Sequence, residues 1–164
     1  MPASLHAATE APTPEPQTRI PRSASPPASG VERGAYALWD STDGEPDLIL
    51  IATGAEVGLA LEAGRKIAAE NGSAVRVVSM PCWELFEQQP PEYREQVLPP
   101  ETKARLAIEP GVSLGWARWV GDRGDVLALD RFGASAPGTE VLERLGFTVD
   151  NVVARATALL ERVG

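Results

Sequence analysis

Residues 48–52, Leu-Ile-Leu-Ile-Ala, are apolar at every position, and the chain turns at Thr53-Gly54 straight into a pattern of helical period. A run with no polar position is the mark of a strand covered on both faces, as inner strands of parallel sheets are. In the segment that follows, Val57, Leu61, Gly64 and Ala68 fall on one stripe, with Ala60 and Ile67 beside it. The spacing predicts a helix that ends at Glu70-Asn71-Gly72, where glycine supplies a left-handed stop. Strand, turn and helix in direct succession are the start of a βαβ unit.

The rest of the chain repeats the alternation. "AVRVVSM" (74–80), "ARLAIE" (104–109) and "DVLAL" (125–129) read as further core strands. "WELFEQQ" and "PPEYREQVL" read as short helices, the second opened by prolines in its first turn. "SLGWARWV" (113–120) is expected to be helical, and "PGTEVLERLG" to be a short helix capped by Gly146. In the last segment Thr148 is the expected N-cap and Asp150 lies in the first turn. Val149, Val152, Val153, Ala156, Leu160 and Val163 then form one apolar stripe. "GAYALWD" reads as a strand that joins "LILIA" through a turn too short for a crossover, which points to an antiparallel pair. The expected architecture is α/β, a five-stranded, mostly parallel mixed sheet between two layers of helices.

The chain has 164 residues, the length of one domain rather than two. Residues 1–30 stand apart: they are rich in Pro, Ala, Ser and Thr and poor in large apolar residues. Such a segment has too little to bury to offset its ordering entropy, so a disordered tail is expected over 1–30 and a domain over 31–164. The formal net charge of −8 argues against nucleic acid and anionic membrane surfaces, both of which select basic stripes. No apolar stretch approaches the roughly 20 residues that span a bilayer. The N-terminus has neither the basic nor the apolar region of a secretory signal, and the lone Cys82 leaves no internal disulfide. Together these place the expectation in a reducing, cytoplasmic compartment.

Self-contained catalytic chemistry is not legible. There is no Walker loop, no GxGxxG, no Cys/His cluster, and the only histidine, His6, lies in the tail. The turn after the first core strand offers one glycine, Gly54, followed by Ala55 and Glu56. A carboxylate inside the first helical turn already complements the dipole and repels an anion, so the turn reads as structural, with Thr53 as a source of a capping oxygen. Carboxyl ends of strands are nevertheless where open α/β sheets bind ligands. Thr53, Gly54 and Glu109, which ends "RLAIE", are therefore the strand-end crevice candidates. Cys82 reads as a small buried apolar residue before a reactive thiol, and Trp116 and Trp119 as packing residues before ligand platforms. The Arg123-Gly124-Asp125 tripeptide sits in a tight turn and carries no adhesion reading.

The order of the motifs says more than any one of them. "GVERGAYAL", "PDLILIATGAEVGLALEA", "VRVVSMPCWELFEQQPPEYREQVLP", "RLAIEPG", "GWARWVG" and "LDRFGASAPGTEVLERLGFTVDNVVARA" follow one another as they do in transketolases. From about Gly30 onward the chain resembles the transketolase C-terminal domain. The resemblance implies a five-stranded mixed sheet between helices. In that family a two-carbon ketol unit moves between sugar phosphates on thiamine diphosphate and a divalent cation such as magnesium. The cofactor and the catalytic residues belong to upstream domains whose motifs are absent from this sequence, so no catalytic, cofactor or metal residue carries over.

One weak correspondence remains. The family's preceding domain ends in a Thr-Arg-Gln…Leu-Pro stretch whose arginine contacts the substrate phosphate, and "QTRIPRSASPP" aligns Thr18, Arg19 and Pro21 with it, without the glutamine. Ala55 and Gly138 depart from the serine and alanine usual in the family. The resemblance implies a domain without catalysis of its own, acting with transketolase-type chains or as a homodimer. Two alternatives stand beside it, one subunit of a split transketolase and a small-molecule binding or regulatory module using the strand-end crevice.

Overall fold

The computed structural model describes residues 28–130 and 142–164. Most of the 1–30 tail, with His6 and Arg19, lies outside them, as does Gly138. The described chain begins with a 3₁₀ turn, Ala28–Arg33, followed by β1 (Tyr36–Asp40), β2 (Leu48–Ala52) and α1 (Glu56–Asn71). It continues through β3 (Val75–Ser79), α2 (Trp83–Glu87), α3 (Pro91–Val97) and β4 (Ala104–Glu109). After β4 come α4 (Ala117–Val120), β5 (Asp125–Ala128) and α5 (Val149–Val163).

The five strands form one sheet in the order β1-β3-β2-β4-β5, and every pair is parallel except β1 with β3. The mixed α/β sheet expected from the sequence is therefore present, with one change of partner. β1 does not pair with β2. Both edges of β2 are taken, by β3 on one side and β4 on the other, in register from Leu48 opposite Val75 and Ala104. An all-apolar strand is stabilised most where both ladders and both faces are covered, and all five residues of β2 are buried. The half-buried β1 takes the outer edge of β3 instead. The turn between β1 and β2 is bolted to the start of β3. The Ser41 amide donates to the Val75 carbonyl at 2.9 Å and the Asp47 carboxylate accepts from the Ala74 amide at 2.8 Å.

Alternation along the strands divides the core. Leu48, Leu50, Val75, Val77, Leu106 and Ile108 face α1 and α5, while Ile49, Ile51, Val78, Met80 and Ala107 face α2, α3 and α4. The helix faces differ slightly from the sequence reading. In α1 the buried residues are Ala60, Ala63, Gly64 and Ile67, and Val57, Leu61 and Ala68 flank them. Gly64 permits the approach: a Cβ there would meet Val77 at 3.0 Å and Trp39 at 3.4 Å. In α5 the buried line is Val152, Ala156 and Leu159, so Leu159 replaces Val153 and Leu160 at its centre. The line is set by two neighbours at once, since α5 packs on both α1 and β4.

Helix ends follow local chemistry in part. Thr148 accepts from the Asn151 amide at 3.2 Å, and Gly72 stops α1 at φ 69°. Thr53 does not cap α1; its N-cap is Ala55, with no side-chain bond. The helix expected over 113–120 is confined to Ala117–Val120, because Gly115 adopts φ 91° and the Ser113 amide is drawn to Asp130 at 2.9 Å. Among the described residues no helix is long and apolar enough to cross a membrane.

The tripeptide Arg123-Gly124-Asp125 is an internal joint. Asp125 accepts two bonds from Arg155 of α5, each at 2.9 Å. Burial pushes its carboxyl up, but the Arg155 bonds, the Val126 amide and the charges of Arg155 and Arg162 outweigh it and leave the pKa below the ordinary 3.8. A depressed carboxylate contributes stability that is present above the unfolded pKa and lost as pH falls through the folded one. The pair is partly exposed, so Asp125→Asn is expected to lower stability by about 1 kcal/mol or less at pH 7. The difference between wild type and variant should shrink below about pH 4. Urea midpoints of both proteins at neutral and acidic pH measure it, and a difference independent of pH contradicts the assignment.

Candidate functional site

The chain leaves β2 through α1 to reach β3 on one side, and later returns through α2 and α3 to reach β4 on the other. The two excursions lie on opposite faces of the sheet, so the carboxyl ends of β2 and β4 mark the topological switch point. An open cleft of about 250 Å³ lies there. Thr53, just after β2, and Glu109, at the end of β4, both line it. The structure thus brings together two of the three candidates. Gly54 stands apart in the exposed turn at φ 58°, where its carbonyl receives the Val57 amide at 3.4 Å. Glu56 Oε2 lies 3.7 Å from where a Cβ on Gly54 would stand, so a carboxylate overhangs that turn.

The remaining walls come from the segment after β3 and from the loop before α4: Met80, Cys82, Trp83, Glu84 and Trp116. Trp83 and Glu84 were not singled out from the sequence. The signal was available, because Pro-Cys-Trp-Glu follows a core strand at its carboxyl end, as Glu109 does. Gly34 seats this segment. It adopts φ 82° and its carbonyl accepts the Cys82 amide at 3.0 Å. A Cβ on Gly34 would lie 2.3 Å from the Cys82 carbonyl oxygen and 2.4 Å from the Phe86 nitrogen.

The indoles of Trp83 and Trp116 meet edge to face, with centroids 5.0 Å apart at 88°. Trp116 and Trp119 are buried in the core cluster of Phe86 and Val97, as their packing reading expects. Cys82 is half-buried rather than buried, and its thiol donates to Glu84 Oε2 at 3.4 Å. Glu84's own backbone amide and that thiol hold its carboxyl below the usual carboxylate range. Glu109 Oε1 accepts the Gly111 amide at 2.9 Å, a local bond to the backbone just beyond β4. The lining therefore carries two carboxylates and two indoles and no Lys, Arg or His.

Residues 34–148 match the family model of the transketolase-like C-terminal domain. The chain belongs to the transketolase family. It is 57% identical over 131 residues to the transketolase of Geobacillus stearothermophilus, covering 80% of this chain and 20% of that one. Transketolase from Leishmania mexicana superposes with a TM-score of 0.76 at 38% identity, over 87% of this chain and 20% of that chain. The fold also matches a chain of a split-gene transketolase, an inactive β4 tetramer, with a TM-score of 0.59 at 22% identity over 79% of this chain and 43% of that one. The chain thus spans about one fifth of the length of the full transketolases it matches, and the part it spans is the C-terminal domain.

Proposed function

We propose that this chain serves as the C-terminal domain of a cytoplasmic, thiamine-diphosphate-dependent enzyme that transfers ketol units between sugar phosphates, with the chemistry carried on thiamine-binding domains outside these 164 residues. The family match over 34–148, at one fifth of the relatives' length, supports this reading. The described residues do not fit the cofactor themselves. No group of three or more His, Cys, Asp or Glu among them is placed to hold a metal ion, and the strand-end cleft offers carboxylates where a diphosphate needs cations. The domain's part is then structural association with transketolase-type chains. A second arrangement, in which the partner is a separate chain carrying the thiamine-binding domains, fits the shared fold of a split-gene transketolase chain but no better than the first.

Calorimetric titration of this chain with thiamine diphosphate and magnesium is expected to show no saturable heat. Mixed with a transketolase truncated before its C-terminal domain, the chain is expected to co-elute in size exclusion. A micromolar dissociation constant for the cofactor on this chain alone overturns the reading, and so does failure of the two chains to associate.

A further inference from the structure

We propose that the strand-end cleft binds a small organic cation, a primary or quaternary ammonium, between the carboxylates of Glu84 and Glu109 and the indole of Trp83. Three observations meet there. The lining holds two carboxylates and no basic side chain, so it attracts a cation and rejects phosphates and carboxylic acids. The guanidinium of Arg118, whose charge reaches Glu84, is itself paired with Glu87 and lies 5.8 Å from the Trp119 ring centroid, and it does not line the cleft. Glu109 has an oxygen to spare, since its Oε2 accepts no hydrogen bond from a described residue, and Glu84 adds a second, exposed carboxylate to the lining.

The indole is the second element. Trp83 is half-buried, fixed by the edge contact with Trp116 and by Gly115, where a Cβ would lie 2.8 Å from its ring. A ring held in place beside two carboxylates is the arrangement that recognises weakly hydrated ammonium groups. A metal ion fits less well, because no three ligating side chains converge among the described residues. Size is the third. A cleft of about 250 Å³ lies below the usual range of sites for drug-sized ligands, so the occupant is small. Thr53 adds a hydroxyl at the rim for a polar substituent on the ligand.

The proposal does not rest on the transketolase reading, and it is tested on the full chain alone. Indole N–H resonances are followed during titration with choline, with n-butylammonium, with the uncharged choline isostere 3,3-dimethylbutan-1-ol and with inorganic phosphate. Saturable shifts of Trp83 and Trp116 with both cations, and none with the alcohol or phosphate, are expected. Glu109→Gln keeps the acceptor for the Gly111 amide but removes the charge, and is expected to weaken choline binding about fivefold or more with an unchanged melting curve. Trp83→Leu is expected to abolish the preference for choline over its isostere. No saturation with either cation, equal binding of the alcohol, binding of phosphate in the cleft, or full affinity in Glu109→Gln each overturns the proposal.

Discussion

Val152→Asp is expected to destabilise the domain severely, whereas Val153→Asp one residue further is a mild change. Val152 is fully buried on the face of α5 that packs on β4 and α1, among Leu106, Ile108 and Ile67. An aspartate there is buried among apolar side chains and is destabilising by about 3–5 kcal/mol. Against a typical total of about 5–15 kcal/mol, that removes a large share of the stability, and all of it for a domain at the low end of the range. Val153 is half-buried at the edge of the same stripe, where the new carboxylate reaches water. Its replacement is expected to be destabilising by only about 1–2 kcal/mol. Circular dichroism melting of the two variants decides it. A Val152→Asp protein that melts like wild type shows that α5 is not packed on its own sheet, and one that stays folded while losing a partner in sedimentation shows that the stripe is an interface.

Gly34→Ala carries the second large effect, and for a different reason. The residue holds a positive φ of 82° with no room for a side chain against the Cys82 carbonyl and the Phe86 amide. Both neighbours are backbone of α2 and its first turn, so they do not swing aside as a side chain does. The left-handed conformation and the overlap together are expected to be destabilising by about 3 kcal/mol or more. For a domain of this size that lowers the melting temperature by roughly 10 °C. Because Gly34 seats Cys82, the variant is also expected to shift the Trp83 indole resonance while Trp39, on the other face of the sheet, stays in place. Thermal melting and the indole spectrum together test this, and an unperturbed melt contradicts the close approach.

What the sequence determined was local. Strand or helix follows from the period at which apolar residues recur, and the periods in Leu48–Ala52, Ala104–Glu109 and Val149–Val163 belong to single segments. Thr148 and Gly72 announce helix ends because a cap acts within one turn. The order of motifs pointed to the family because many short segments agreed in register, although "FGASAP" (132–137) lies outside the described residues.

Tertiary structure decided which elements meet. β1 directly precedes β2 in the chain yet pairs with β3, because β2 gains more from two parallel partners than from one adjacent hairpin. The buried line of α5 runs through Leu159 because two neighbours, α1 and β4, share that helix, and no count along one segment shows where both surfaces lie. The same holds for the cleft. Thr53 and Glu109 were legible as strand ends, but Trp83 and Glu84 joined them only because β3 lies beside β2 and places the start of α2 at the switch point. Chemistry assembled from three strand ends depends on strand order, and strand order is a property of the folded sheet rather than of any stretch of the chain.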